Sequence, residues 1–229
     1  MGAKGRIAAH AVNLLLAVAF IVLLATPVTW AVWHEWIGIF AFVLTVVHIV
    51  MSNKAIGRLG RRRRVGAFAT LVFDALLIVC IFGLVASSIV LSEHVLAWAP
   101  AVPGASWART AHLLCSYWGF VLVFIHAGVH LRVAVGKLAK SRALVWAARI
   151  AFVVFGAVGV WSLFDTGMWS YMTLANQFVF VDPSVPFAWK LAQYAAIAVL
   201  VAGLAHYVSA LCRKAARRSK ANGLGHAVE

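Results

Sequence analysis

Acidic residues are nearly missing from this chain: 6 Asp and Glu stand against 20 Lys and Arg in 229 residues, and charged residues of both signs make up only 11%. A soluble domain of this length carries about twice that share of charge on its surface. Cysteine is scarce as well. Cys80, Cys115 and Cys212 fall singly within apolar stretches, with no CxxC and no CxxCH. That excludes a disulfide framework and covalently attached c-type haem, and it argues against iron–sulfur ligation. Asp74 is the one acid well inside an apolar segment, so a zinc or copper site built from clustered carboxylates and thiolates has little to draw on.

What the chain does have is apolar length. Hydrophobic residues make up 64% of it, and its mean hydropathy is +0.96. Six apolar segments stand out, at about 8–29, 33–52, 66–92, 108–131, 146–165 and 187–211, each long enough to cross a hydrocarbon core of ~30 Å. The expected fold is all-α: an integral membrane protein of six transmembrane helices. Lys4 and Arg6 before the first segment imitate a signal peptide, but a retained helix ending near Pro27 is expected.

Charge orders these segments across the membrane. The net charge of +14 would suit a nucleic acid only if the basic residues shared one folded face. Instead all but Arg109 and Lys190 lie at the two termini and around the loops after the second and fourth segments. No nucleic-acid partner is expected. The positive-inside rule places both termini in the cytoplasm, as expected for a multi-pass protein of the inner (plasma) membrane. Glu35, Glu93, Asp165 and Asp182 then fall on the outer side, as do Trp30, Trp33, Trp36, Trp98, Trp107, Trp161, Trp169 and Trp189, which form an interfacial belt. The Arg61–Arg64 run is a topology signal and a candidate contact for anionic lipid.

Histidines break the apolar pattern. His34 and His48 are 14 residues apart in the second segment, and His112 and His126 are 14 apart in the fourth. At 3.6 residues per turn each pair returns to one helix face, with about 21 Å between its members. Intramembrane ionisable residues are costly and need a reason. Two helices with equal histidine spacing can each supply one imidazole to two haem irons, one iron near each side of the bilayer. The expected ligands are therefore His34 with His112 at the outer level and His48 with His126 at the inner level. Gly38, Ala41 and Thr45 on one helix, and Ser116, Gly119 and Val123 on the other, share these faces. Mostly small side chains leave room for a flat macrocycle, and Gly38 and Gly119 are candidate cofactor-contact positions; equally, small stripes mark ordinary helix packing.

Several residues have two readings. His130, one turn beyond His126, is a rival inner ligand or a hydrogen-bond donor to a haem propionate. His10 and His206, toward the cytoplasmic ends, are alternative inner ligands or packing residues, while His94 and His226 look exposed. Arg109, one turn before His112, is placed to pair with an outer-haem propionate or to anchor the interface. Asp74 is a candidate for proton uptake linked to quinone chemistry or for pairing with Arg149.

The segments VTWAVWHEWIGIFAFVLTVVHIVMSNKAIG and WARTAHLL…VFIHAGVHL resemble the HExxG…H and H…HxGxH motifs of the flavinylation-associated cytochrome b family. The resemblance covers residues 1–135 and implies a four-helix di-haem cytochrome b bundle, with residues 136–229 adding two transmembrane helices and a basic tail. The histidine spacing is also similar to that of the di-haem subunits of formate dehydrogenases and hydrogenases. In formate-dehydrogenase-type subunits a first-helix histidine ligates the inner haem, which makes His10 a rival to His48. The resemblance implies two haem b groups, electron transfer between a quinone pool and a redox partner subunit or extracytoplasmic protein, and the role of an electron-transfer subunit in an oxidoreductase complex. The competing expectation is a non-redox membrane transporter or scaffold whose histidines line a polar path.

Overall fold

A computed structural model of the chain describes residues 2–26, 30–59, 65–97, 105–131, 135–136, 141–179, 182 and 184–225. The Arg61–Arg64 run, most of the basic loop after the fourth segment, and His226 lie outside the described residues. The described residues form helices α1 (Ala3–Ala25), α2 (Ala31–Leu59), α3 (Val65–Leu91), α4 (Ala105–His130), α5 (Arg142–Asp165), the short α6 (Met168–Met172) and α7 (Phe187–Gly225). All except α6 are long and apolar enough to cross a membrane. The protein is an all-helical, multi-pass membrane protein.

Local chemistry explains the helix ends. Thr26 is extended at the end of α1, with its N–H and hydroxyl both bonded to the Val22 carbonyl. Pro27 follows in the sequence, and a residue before proline is pushed out of the α region. Ser141 caps α5, its hydroxyl oxygen accepting from the Leu144 N–H, which satisfies one of the first-turn donors. Gly167, at φ +69°, takes the left-handed conformation that turns the chain from α5 into α6.

The core centres on α4. Its Leu113, Tyr117, Phe120 and Phe124 pack with Tyr194, Ile197, Ala198 and Ala202 of α7, with Met168 and Met172 of α6, and with Ala25 of α1. Two glycines let backbones meet here. A Cβ on Gly128 would collide with the Ala202 carbonyl of α7, and one on Gly159 of α5 would lie 2.6 Å from the Ala196 carbonyl. Small residues at crossings are how membrane helices gain contact where lipid gives no hydrophobic drive. Outward-facing Phe82, Ile150 and Val153 are more than 60% exposed, as suits side chains that meet lipid.

Helix α2 is held more loosely than the rest. Helix α2 leans on α1, and α3 leans on α4, but α2 makes little backbone approach to either α3 or α4. The segment boundaries expected from hydropathy agree closely at α3, α4 and α5, whereas α2 and α7 run on as helix past the apolar segments, to Leu59 and Gly225. At 39 residues α7 is about 58 Å long, well beyond one bilayer core.

Candidate cofactor site between α2 and α4

The gap between α2 and α4 is bridged by imidazoles at two levels. The rings of His34 and His112 have centroids 6.1 Å apart, and those of His48 and His126 are 6.2 Å apart. The levels are separated by 14 residues on both helices, or about 21 Å of rise. A metal with a nitrogen at about 2.0–2.1 Å on each side, and roughly 1.2 Å more from each nitrogen to its ring centre, spaces two imidazole centroids about 6.4 Å apart. Direct ring-on-ring pairs fall in the same range. The other nitrogens show which tautomer the rings adopt.

Three of the four imidazoles have a side-chain partner behind them. His126 Nδ1 lies 2.7 Å from Asp74 Oδ1 on α3, and His48 Nδ1 lies 2.8 Å from Asn13 Oδ1 on α1. Carboxylate and amide oxygens only accept, so both nitrogens carry the proton. Ser87 donates its one hydroxyl proton to the Gly83 carbonyl at 2.6 Å, so its oxygen accepts from His112 Nδ1 at 3.1 Å. In the three Nδ1-bonded cases Nε2 keeps its lone pair, which is the state a metal ligand needs. A hydrogen bond behind the imidazole fixes its tautomer and aim, as is general for metal-ligating histidine.

A cavity of about 830 Å³ opens at the His34–His112 level, within the range of small-molecule and cofactor pockets. His34, Gly38, Ala41 and Thr45 line it from α2, Leu84, Val85 and Ser88 from α3, and Arg109, His112, Ser116 and Tyr117 from α4. Gln177, Phe178 and Val179 reach it from the segment before α7. A Cβ added to Gly38 would meet nothing within 4 Å, so this glycine borders open space.

Gly119 corrects the stripe drawn from helical periodicity. A Cβ there would touch Cys80 and approach Leu84 at 3.5 and 3.9 Å, so Gly119 faces α3 in ordinary helix packing and is not among the cavity's lining residues. On the α4 wheel Gly119 lies midway between His112 and His126, and α3, whose Ser87 and Asp74 meet those two histidines, packs over that middle of the face. Arg109 does reach the cavity, from an exposed position at its outer end. His130 is exposed and its ring lies 4.7 Å from that of His126 on its own helix, whereas His126 is the one that faces His48. His10 is exposed; Asn13, one turn on, is the α1 residue that meets His48. His206 lies beside Tyr207 with its Nδ1 buried and unpartnered. Asp74 bonds His126, while the Arg149 guanidinium lies 5.4 Å over the Trp146 ring, so the expected Asp74–Arg149 pairing gives way to two separate contacts.

No family model matches this chain, and no curated protein or solved structure matches it either. Among the described residues, no group of three or more His, Cys, Asp or Glu could hold a metal ion between them. What these side chains build is a pair of two-imidazole gaps.

Residues absent from the sequence reasoning complete the site. Ser87 and Asn13 are ordinary features of apolar helices until the fold sets them behind a histidine. Glu35 was legible only as an outer-side acid. Its carboxylate accepts from the Ser92 hydroxyl at 2.7 Å, from the Glu93, His94 and Val95 N–H groups at 2.8–3.3 Å, and from His94 Nδ1 at 3.1 Å. It thereby clasps the turn after α3 to the start of α2. The HE dipeptide joins a cavity-facing imidazole to this clasp, which is the signal that could have found it.

Proposed function

We propose that this chain is a membrane di-haem b-type cytochrome that passes electrons across the bilayer. The observation that carries the proposal is the pairing of four imidazoles, two by two, at 6.1 and 6.2 Å across helices that otherwise stand apart. His34 with His112, and His48 with His126, would hold the two groups. Haem b supplies one-electron chemistry at its iron when bound.

The chain's own residues do the rest. Asn13, Ser87 and Asp74 hold the imidazoles of His48, His112 and His126 in the ligating tautomer and orientation before a ligand arrives. Gly38 leaves space beside His34 for a flat group. Arg109, at the outer end of the cavity, is placed to meet a propionate carboxylate through a charge-assisted bond. With two imidazoles to hold each group, the chemistry it would supply is electron transfer and not oxygen activation.

The wider setting belongs to the same proposal. The clustering of basic residues supports cytoplasmic termini in a plasma membrane, which places His34 and His112 at the outer level. A quinone and a redox partner subunit or extracytoplasmic protein are the proposed exchange partners, as the resemblance to flavinylation-associated cytochromes b suggests.

An absorbance spectrum of the purified protein, reduced with dithionite, tests the proposal together with a haem-to-protein ratio. A sharp reduced α band and two haems per chain are expected. A haem-replete preparation without such a band would sink the proposal and leave the histidines to a polar path.

A further inference from the structure

Of the three imidazoles with side-chain partners, only one is backed by a carboxylate. Asp74 Oδ1 accepts from His126 Nδ1 at 2.7 Å, and both side chains are 30% exposed, so water dilutes the contact only in part. Ser87 is a neutral partner to His112 and Asn13 is a neutral partner to His48. A carboxylate on the far nitrogen gives the imidazole imidazolate character and raises its donation to a metal. Extra donation and an added negative charge both favour the iron state with the greater positive charge.

We infer that Asp74 makes the His48–His126 level the lower-potential site of the two, so that an electron shared between them rests at the His34–His112 level. The inference rests on the di-haem proposal. Asp74 is a positioning residue, acting through His126. Each iron takes up one electron in passing from ferric to ferrous. The proton stays on His126 Nδ1 throughout, and no bond forms or breaks.

The one acid near the other pair does not cancel this asymmetry. Glu35 follows His34 in the chain, but its oxygens are taken up by Ser92, His94 and three backbone N–H groups, and neither bonds His34 or His112. Arg109 lines the same cavity with the opposite charge. Hydrogen-bonded contact therefore favours Asp74 over Glu35 as the dominant influence.

A potentiometric titration of the α band in the purified full chain tests the inference. The wild type should show two components, the lower of which disappears in His48→Ala. Asp74→Asn, with two haems retained, should raise that lower component by at least tenfold in its reduction equilibrium, about 59 mV for one electron. Asp74→Glu should bring it back toward the wild-type value. Two retained haems with an unmoved lower component in Asp74→Asn would overturn the inference. If Asp74→Asn loses a haem, Ser88→Asp carries the test, because Ser88 Oγ lies 3.5 Å from His112 Nδ1. A carboxylate there should pull the upper component down, and an upper component that stays in place refutes the tuning. A wild type without haem defeats the underlying cytochrome proposal instead, a result distinct from either.

Discussion

Replacing Gly38 with leucine separates a cofactor slot from a mere packing gap by the sign of its effect. Gly38 sits in the middle of a helix, where leucine is intrinsically better by up to about 1 kcal/mol. Nothing lies within 4 Å of the position its Cβ would take, so no clash opposes the change. If the space beside His34 is only a gap, Gly38→Leu stabilises the protein by about that amount. If a flat group occupies it, the outcome reverses. The His34 and His112 ring centres are 6.1 Å apart, leaving only about 3 Å on each side of a midplane macrocycle, and an isobutyl group one turn from His34 intrudes on that slot. Losing a ligand held at a thousandfold excess over its Kd removes about 4 kcal/mol of stability. Set against the helix gain, the net loss is about 3 kcal/mol, or roughly 6–12 °C in Tm for a chain of this size. Haem content by pyridine haemochrome should fall from two per chain to one, and thermal denaturation in detergent should shift downward. A Gly38→Leu protein with two haems and an equal or higher Tm would refute the assignment of this space.

Each of His34→Ala, His112→Ala, His48→Ala and His126→Ala should lower haem content from two per chain to one, while His130→Ala should keep both; pyridine haemochrome on the five variants reads this directly. Gly128→Ala should disrupt the α4–α7 crossing, since the new methyl has no room at the Ala202 carbonyl, at a cost of about 1–3 kcal/mol or more. Gly156→Ala meets only the end of Leu200 at 3.7 Å and should be neutral or stabilising; equal melting shifts for the two would contradict the packing. Glu35→Ala should cost about 1.5–3 kcal/mol by removing a charged acceptor from the Ser92–Val95 turn, seen as a drop in Tm of several degrees. Glu35→Gln, which keeps one acceptor oxygen, should lose less.

Much of the architecture was legible because membrane insertion demands long apolar runs, and six of them survive as helices α1 to α5 and α7. Histidine spacing was legible for a similar reason: periodicity along one helix is a local property, and it put His34 opposite His112 and His48 opposite His126. Periodicity could not say which neighbour receives a given face. Gly119 lies at the middle of the His112–His126 stripe yet packs on α3, because α3 lies over that same face and meets both histidines through Ser87 and Asp74. The residues behind the imidazoles were hidden for a related reason. Asn13 and Ser87 are 35 and 25 residues from the histidines they meet, and nothing local marks them out among other small polar residues. Asp74 was conspicuous as a buried acid, but its partner had to be seen. The length of α7 was underread because hydropathy ends at the lipid boundary while the alanine- and lysine-rich sequence beyond it continues to favour helix.

The way α2 is attached bears on how the proposed cofactor would enter. It packs on α1, and among the described residues it is buckled to the end of α3 by Glu35, so little backbone contact closes the seam between α2 and α3 below that buckle. A flat, apolar group dissolved in the bilayer would have a sideways route through such a seam. Loading of the proposed haems would then follow folding, with the imidazoles of His48, His112 and His126 already aimed.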